Sequence, residues 1–369
     1  MADAAVIGGG IAGLAAGSAL VEAGWRIRIF ERAPRLDAVG AALSLWPNAV
    51  AGLERLGMIE AVRRNAAPFT TMLVADRQGR PILAPRRIGG PALLVTRAAL
   101  QDVLTDALPA GTITLGREVA DVEETSGSVR LRFTDGAIHG ADLIVDAGGL
   151  RSVAAEPDTV SYRGYGGVVA LSDPLDGAGL NGLAAEYWGW GERFGLFELP
   201  AGRRYWFYMR DQSADASPPS LDQVGERVRG FVPAIAQAVA ATPSDRLIPF
   251  AIHARPVPRR LGRGRIIHVG DAAHAMEPNL GQGACQAIED AVALGVAARG
   301  CPPGEVLASF ERLRLKRVGM IVRRAAEGRH GAHGPMASQW AIRTLLRLIP
   351  DRAGDALARS IQTMPTYIA

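Results

Sequence analysis

The sequence predicts an α/β protein in which a parallel-sheet domain is interrupted by a domain rich in β-structure and followed by a helical C-terminal segment. Three observations support this fold class. A strand–helix–strand unit occupies the first 31 residues, aromatic strands dominate from about residue 160 to 255, and alternation of strand and helix returns after Arg263. Because the α/β pattern flanks the aromatic stretch on both sides, we expect the first domain to be discontinuous in sequence.

Domain boundaries follow from these changes in pattern. A glycine-rich break at Gly331–Gly334 separates the last α/β segment from an amphipathic stretch, Ser338–Leu348, that is expected to be helical. The predicted segments are residues 1–68, 91–158 and 262–330 for the α/β domain, 69–90 and 159–261 for the β-rich domain, and 331–369 for the C-terminal helix.

The composition is that of a globular protein and excludes several classes. Hydrophobic residues make up 48% of the 369 residues and charged residues 21%, which argues against a disordered chain. Lysine and arginine number 41 against 37 acidic residues, and this near balance argues against nucleic-acid binding. Two cysteines, Cys285 and Cys301, do not suggest a disulfide framework, which fits a reducing cytoplasm. The composition leaves open a monomer or a homodimer.

One apolar stretch, Ala4 to Val21, has about the length of a membrane-spanning helix. It contains five glycines, follows Asp3 and lacks a basic region ahead of it. We therefore expect no membrane association and a cytoplasmic location.

The first structural unit is complete within 31 residues. Ala4–Ile7 is an apolar strand, Gly8–Gly10 a turn, Ile11–Ala23 a helix that Gly24 ends, and Arg26–Phe30 an alternating strand that leads to Glu31. The further predicted elements are helices at Asn48–Leu56 and Thr96–Ala107, a buried strand at Ala141–Val145, a hairpin of Phe194–Leu199 and Arg204–Arg210, a strand at Arg265–Val269, a helix at Ala284–Ala298 and a basic helix at about Pro303–Arg329.

The first motif, Gly8-x-Gly10-x-x-Gly13, joins the first strand to the first helix. Gly8 permits a tight turn, Gly10 lets the backbone approach a pyrophosphate, and Gly13 lets helix and strand pack closely. The helix N-terminus favours the phosphate charge, and Glu31 could accept hydrogen bonds from ribose hydroxyls. The pattern predicts dinucleotide binding, without separating FAD from NAD.

The second motif occupies residues 265–290, where a strand delivers Asp271 to a turn. Pro278, Gly281 and Gly283 then shape a loop that opens a helix. Asp271 could accept hydrogen bonds from polyol hydroxyls, while the loop N–H groups and helix terminus could stabilise negative charge on a ring such as a reduced flavin. This motif favours FAD.

With these motifs in place, the chain resembles the single-component FAD-dependent aromatic hydroxylases, the group A flavoprotein monooxygenases with a p-hydroxybenzoate-hydroxylase-like fold. The resemblance implies a Rossmann-like FAD-binding domain with an inserted substrate domain. The segments that carry it are Gly8–Leu14, Gly40–Ala49, Arg97–Gln101, Gly270–Gly283 and Tyr187–Gly195. It implies FAD contacts at Gly8, Gly10, Ala12, Gly13, Glu31, Ser44, Arg97, Gln101, Val119, Asp271, Gly281, Gln282 and Gly283.

The resemblance also implies a reaction. NADPH or NADH would reduce FAD, O₂ would add to the flavin C4a, and the hydroperoxide would hydroxylate or epoxidise an aromatic or polycyclic small molecule, as in secondary metabolism. Pro278, Tyr205 and Arg210 are the candidate catalytic residues. Tyr208 and His253 are further candidates for a base that forms a phenolate.

Two departures from the family pattern leave alternatives open. Gly148 replaces the aspartate of the usual Asp-Gly-x-x-Ser motif, so we expect a flexible, uncharged turn and weak binding of the nicotinamide cofactor. Val168-Val169-Ala170 replaces the usual Trp-Arg-Gly and favours an apolar substrate. A redox-neutral or reductive flavoenzyme, and a non-catalytic FAD-binding protein, remain alternatives to the monooxygenase.

Other residues have simpler interpretations. His274 is expected to make a structural hydrogen bond to the loop backbone rather than to act in catalysis, and Cys285 to be a small buried side chain. The pair Glu289-Asp290 is expected to lie on a helix face or to partner an arginine. His330-x-x-His333 lacks the further ligands of a metal site, so no metal is expected. The aromatic residues of the β-rich domain fit either a core or the wall of a pocket.

Overall fold

The structure is a computed structural model that describes residues 1–36, 40–125, 127–155, 160–176 and 179–366. The strands are β1 Asp3–Ile7, β2 Arg26–Phe30, β3 Ala42–Leu45, β4 Ala66–Pro68, β5 Thr71–Asp76, β6 Pro81–Arg87, β7 Leu93–Thr96, β8 Ile113–Thr114, β9 Val119–Thr125, β10 Ser128–Phe133, β11 Ile138–Ala141, β12 Leu143–Asp146, β13 Ser161–Leu171, β14 Leu183–Trp188, β15 Glu192–Glu198, β16 Arg204–Asp211, β17 Ile248–Ala254, β18 Gly262–Arg263 and β19 Ile266–His268. The α-helices are α1 Ile11–Glu22, α2 Pro47–Arg55, α3 Ile59–Arg63, α4 Arg97–Asp106, α5 Leu221–Val228, α6 Pro233–Ala240, α7 Asp271–His274, α8 Gly283–Ala298, α9 Val306–Glu327, α10 Met336–Leu348 and α11 Asp351–Gln362.

The α/β part is organised by a six-stranded sheet in the order β18-β19-β12-β1-β2-β8. Its strands are parallel except for the short edge pair β18–β19. Strand β1 lies centrally because its last four residues, Ala4–Ile7, are apolar and buried. Helix α1 packs against α8, so the helices that follow the two sequence motifs are neighbours.

The β-rich part is a seven-stranded sheet in the order β17-β13-β16-β15-β14-β5-β6. Its neighbouring strands are antiparallel except β14 and β5, which run parallel. Strands β15 and β16 form the predicted hairpin, with Phe197 opposite Tyr205. Because side chains alternate along a strand, one face of this sheet packs on the core shared with the α/β part and the other packs on α5 and α6.

Helices α5, α6 and α11 are among the elements that lie outside the sequence predictions, together with the short α3 and α7. The short helices α5 and α6 cover the outer face of the β-rich sheet, and α5 begins at a capping box formed by Ser220 and Gln223. Helix α11 follows α10, so the expected single C-terminal helix is in fact two helices separated at Pro350. Each of α5, α6 and α11 has at most 12 residues, which leaves few turns for a periodic pattern. The predicted boundary between residues 158 and 159 lies outside the described residues.

A buried charge network ties the C-terminal helices to the α/β part. Arg314 donates to Glu289 and Asp290 at 2.6 and 2.8 Å, and all three side chains are at most 1% exposed. Arg317 also pairs with Glu289 and donates to the carbonyl oxygens of residues 361 and 363 at 2.7 and 3.1 Å. Glu289 and Asp290 therefore have the structural role with arginine that the sequence suggested. None of the described helices is long and apolar enough to cross a membrane.

Candidate active site

The glycine-rich turn has the backbone shape that its sequence predicts. Gly8 has φ +99°, and a Cβ there would lie 2.6 Å from the carbonyl oxygen of Ala147. A Cβ on Gly13 would lie 2.0 Å from the Gly8 carbonyl oxygen, so helix α1 and strand β1 meet too closely for any side chain. Gly10, directly before α1, faces open space. The turn thus leaves room for a ligand at the N-terminus of a twelve-residue helix.

Polar side chains brace this turn from two sides. Glu31 accepts hydrogen bonds from the backbone N–H groups of Gly9 at 2.7 Å and Ala33 at 2.9 Å, one on each carboxylate oxygen. Gln101, on α4, donates to the Gly9 carbonyl oxygen at 2.9 Å. Glu31 therefore shapes the turn itself, and each of its oxygens keeps a lone pair for a ribose hydroxyl.

The second motif lies directly against the first. A Cβ on Gly270 would be 2.8 Å from the Cβ of Ala12, and Gly270 has φ +58°. Asp271 follows as an exposed residue. Arg97 lies close enough to Asp271 to be attracted by it, while burial lowers the pKa of this guanidinium. Arg97 has no hydrogen-bond partner among the described residues, which leaves its cationic group available to an anion.

The loop after Asp271 presents a second open helix terminus. Pro278–Leu280 forms a single 3₁₀ turn, Gly281 has φ +62°, and Gly283 opens α8 facing open space. A Cβ on Gly281 would lie 2.8 Å from both Ser44 Oγ and Trp46 Nε1. Gln282 is buried and accepts a hydrogen bond from Asn48 at 2.9 Å. These contacts hold β3 against the loop.

These residues fit FAD. Two helix N-termini open onto free space, Arg97 supplies an unsatisfied cation beside them, and Trp46 Nε1 is buried with no hydrogen-bond partner in the described chain. Open backbone N–H groups and an unpaired guanidinium can bind the pyrophosphate of FAD, and a free indole N–H can bind the polar edge of its ring. Val119 is 6% exposed in the core beside β1 and β2, so its side chain contributes packing on that side.

The expected uncharged turn at Gly148 is wrong. Asp146, fully buried at the end of β12, accepts hydrogen bonds from Gly148 N at 3.0 Å and Ser152 Oγ at 2.6 Å. A Cβ on Gly148 would lie 3.1 Å from that carboxylate oxygen, and the residue has φ −67°. The other Asp146 oxygen contacts His268 Nδ1 at 2.6 Å. A carboxylate from two residues earlier therefore organises this turn.

The flavin-motif loop faces one side of the β-rich sheet, and the alternation of β16 decides which residues reach it. Tyr205, Phe207 and Met209 lie on the side of the shared core. Arg210 lies on the opposite side with Tyr208, where its Nε donates to Gln212 at 3.2 Å. Side chains alternate between the two faces of a strand, and Arg210 lies five residues after Tyr205, so the two side chains are on opposite faces. Arg210 is therefore removed from the candidate catalytic residues.

Tyr208 is removed for the same reason. Its hydroxyl donates to Glu192 at 2.7 Å beneath α5 and α6. Burial, with Glu192, raises the pKa of Tyr208 to about 12. His253 lies near the end of β17, opposite Tyr162 of β13, and the centroids of the two rings are 5.4 Å apart.

Sequence reasoning missed the polar residues on the flavin-facing side. Arg193, on β15, is 1% exposed and donates to Asn279 in the motif loop at 2.7 Å. It lies 3.4 Å from the carboxylate of Glu186, and its guanidinium faces the Phe207 ring. Its Nε has no hydrogen-bond partner in the part of the chain described. Residues four apart on a strand lie on the same face, so the position of Arg193 four residues before Phe197 could have placed it on this side of the sheet.

A second polar cluster joins the sheet to the motif loop. The Tyr165 hydroxyl donates to Glu277 at 2.8 Å, and its ring stacks on His333 with centroids 4.2 Å apart. His333 Nδ1 contacts Asp211 at 2.7 Å, and burial lowers the pKa of this imidazole. The described residues contain no cluster of potential metal ligands around it.

Only one of the three residues taken to favour an apolar substrate lies on the flavin-facing side of the sheet. Val168 and Ala170 belong to the core under α5 and α6, and only Val169 packs toward the shared core. The aromatic residues are divided in the same way. Trp206 stacks on Phe194 in the outer core, whereas Phe197 and Tyr205 lie on the flavin-facing side.

Two residues of the second motif have structural roles. The His274 ring contacts the side chain of Asp290, with Nε2 at 2.6 Å, and not the loop backbone as expected. This contact links α7 to α8. Burial raises the pKa of Cys285 to about 12, so its thiol is unreactive, as expected of a small core residue.

Comparison with known proteins agrees with this site. The FAD binding domain family matches residues 1–325. The aurachin C monooxygenase/isomerase of Stigmatella aurantiaca is 32% identical, over 98% of each chain. The 3-amino-4-hydroxybenzoate 2-monooxygenase of Streptomyces cremeus is 35% identical, over 90% of this chain and 88% of that protein. The structure of Klebsiella pneumoniae HpxO with FAD and uric acid superposes with a TM-score of 0.88 at 28% identity, covering 99% of this chain and 97% of that one. The chain belongs to the FAD binding domain family and is an FAD-dependent monooxygenase.

Proposed function

We propose that this enzyme inserts one oxygen atom into a flat aromatic substrate that carries an oxygen or nitrogen acceptor next to the reacting ring. The observation that carries the proposal is Arg193, a buried cation on the flavin-facing side with an N–H that has no acceptor. A buried donor without a partner costs about 1–3 kcal/mol, which a substrate acceptor would recover. Two similar proteins are named with 3-amino-4-hydroxybenzoate and with uric acid, and both compounds are rings that carry oxygen and nitrogen atoms.

We assign the cofactor contacts to the two motifs. Gly8, Gly10, Gly13, Arg97 and Asp271 would hold the pyrophosphate and polyol, with Glu31 at the ribose. The ring end would lie against the loop opened by Pro278, together with Ser44, Gln282 and the two loop glycines, while Ala12, Gln101 and Val119 would support the fold around it. When bound, FAD supplies the chemistry that activates O₂.

Tyr205 is assigned a different role from that of a base. Its hydroxyl has no hydrogen-bond partner among the described residues, and burial raises its pKa far above neutrality. A phenol that stays protonated donates a hydrogen bond, so Tyr205 would orient a substrate oxygen rather than remove its proton. Phe197 and Phe207 would flank the ring and exclude water.

The experiment follows oxygen incorporation directly. FAD-loaded protein is mixed with NADPH or NADH and a panel that contains 3-amino-4-hydroxybenzoate and uric acid. We expect one aromatic compound to stimulate oxidation of the reductant and to gain the mass of one oxygen atom. The proposed substrate class is contradicted if only compounds without an oxygen or nitrogen acceptor next to the ring gain oxygen, or if no compound of the panel that carries one stimulates oxidation of the reductant.

We propose NAD(P)H as the reductant and Asp146 as the residue that positions the turn at Gly148. Asp146→Asn should slow flavin reduction about tenfold, since it weakens charge-assisted hydrogen bonds worth about 1.5–3 kcal/mol. Gly148→Asp alone should also slow reduction, because two carboxylates would crowd one turn. The exchange Asp146→Gly/Gly148→Asp should recover much of the rate in stopped-flow reduction. A normal rate in Asp146→Asn would contradict this assignment.

The two-domain division remains part of the proposal. Residues 1–68, 91–158 and 262–330 would bind FAD, and residues 69–90 and 159–261 would supply the substrate side.

A further inference from the structure

A cleft of about 370 Å³ lies at one end of the β-rich sheet, and none of the residues assigned to FAD lines it. Three segments form it, namely the β5–β6 turn, the β14–β15 turn and one side of α10. Its volume is at the lower end of the range for ligand pockets, about 300–1,000 Å³, which suits a molecule of one or two rings.

Indole rings form much of the cleft wall. Trp190 is 46% exposed and Trp340 is 64% exposed, while Trp188 is buried at the base. Two large aromatic rings open to solvent on facing segments are unusual for a surface without a ligand or partner. Their flat faces would stack on an aromatic ring.

The cleft is also strongly cationic. Arg77 pairs with Glu192, and Arg80 pairs with Asp76. Arg343 and Arg347 form no salt bridge among the described residues, although Asp76 attracts Arg343. Four arginines and a single aspartate thus line the cleft, so its net charge is positive.

Arg343 is held rigidly in this setting. It is 8% exposed, donates to the carbonyl oxygens of Gly331 and Gly189, and stacks 4.1 Å from the centroid of the Trp190 ring. Burial, with repulsion from Arg347, lowers the pKa of Arg343 to about 10. A desolvated guanidinium with only backbone acceptors gains more from an anion than a hydrated one does.

We propose that this cleft is a second ligand site, which binds a flat aromatic anion between Trp190 and Trp340 with its charged group on Arg343 and Arg347. The shared chemistry is a ring bearing a carboxylate or a phosphate. An aromatic acid and a nucleotide are the two sources of such a ligand.

The cleft is connected to the substrate side by direct contacts. Trp188 Nε1 donates to Glu186 at 3.0 Å, Glu186 lies 3.4 Å from Arg193, and Arg193 donates to the motif loop. A ligand that shifts Trp188 would therefore act on the residue that the proposed function assigns to the substrate.

The test measures binding without turnover, so it does not depend on the proposed reaction. FAD-loaded protein is titrated separately with salicylate and with AMP, and affinity is followed by calorimetry and by tryptophan fluorescence. We expect one of the two to bind and the variant Trp340→Ala/Arg347→Ala to weaken it at least tenfold. If the variant binds salicylate more weakly than the wild type does, the ligand class is an aromatic acid. If it binds AMP more weakly, the ligand class is a nucleotide.

A matched control separates the cleft from general surface effects. Leu348→Ala/Arg352→Ala removes an exposed apolar residue and an exposed arginine outside the cleft, and should bind as the wild type does. The proposal is overturned if neither probe binds, or if the cleft variant and the control behave alike. It is also overturned if Arg193→Gln abolishes binding while the cleft variant does not, because the ligand would then occupy the flavin-facing side.

Discussion

The two faces of the seven-stranded sheet contain similar aromatic residues but differ in how their polar atoms are satisfied. Under α5 and α6, Trp206 Nε1 donates to Thr242 at 2.9 Å and the Tyr208 hydroxyl donates to Glu192. On the flavin-facing side, Arg193 Nε and the Tyr205 hydroxyl have no partner within the described chain. Trp206 and Tyr208 are thus satisfied within the outer core, whereas Arg193 and Tyr205 each keep a donor that a ligand could use.

This difference separates stability from function within single strands. Tyr205 and Tyr208 lie three residues apart on β16, yet they face opposite layers. Substitutions on the outer face should lower the free energy of unfolding, and substitutions on the flavin-facing side should mainly lower catalytic efficiency. Three predictions test this contrast.

The largest effect is expected on the outer face. Trp206→Ala should lower the free energy of unfolding by about 3–5 kcal/mol, because the ring is fully buried and stacks on Phe194. Urea denaturation of the FAD-loaded protein measures it. Phe207→Ala, from the same strand, is the matched variant and should lose less stability and more substrate affinity. Equal losses of stability would remove the proposed distinction between the faces.

Arg193→Gln should have the next largest effect, on catalysis. Loss of a charge-assisted hydrogen bond of about 1.5–3 kcal/mol lowers kcat/KM about ten- to hundredfold. Because FAD binding does not involve this residue, flavin content should remain that of the wild type. Steady-state oxygen consumption and flavin absorbance report the two quantities. An unchanged kcat/KM would exclude Arg193 from the substrate site.

The smallest effects are expected when the hydroxyl group of either Tyr208 or Tyr205 is removed. Tyr208→Phe should destabilise the protein by about 1 kcal/mol with unchanged substrate affinity, since it breaks a buried hydrogen bond. Tyr205→Phe should leave stability within about 0.5 kcal/mol and weaken substrate binding several-fold. Thermal unfolding and substrate titration of both variants decide the matter, and a reversed pattern would contradict the assignment of the faces.

The cofactor half of the site could be read largely from sequence. Gly8, Gly13 and Gly281 are required by backbone shape, and such requirements act over a few neighbouring residues. The hairpin of β15 and β16 was predicted correctly because its residues alternate around Gly202. Glu31 was identified from its spacing, although its two bonds to backbone N–H groups were not.

The substrate half depended on contacts between distant segments. Arg193 acquires its position from Asn279, which lies 86 residues later in the sequence. Outside the substrate half, even the contact of Asp146 with Gly148, two residues later, was missed, because it requires the carboxylate to fold back over the turn. Arg210 seemed suitable by type, but the register of β16 directs it to the other face. Residue type alone does not reveal these relations.

The bond between Arg317 and the backbone near residue 361 has a consequence for biosynthesis. Arg317 shares Glu289 with Arg314, so its carbonyl partners complete a charge network inside the cofactor part. Those partners are translated more than 300 residues after β1, the first strand of the cofactor part. The cofactor part therefore cannot complete this charge network until the chain has been synthesised to residue 363 and that residue has left the ribosome.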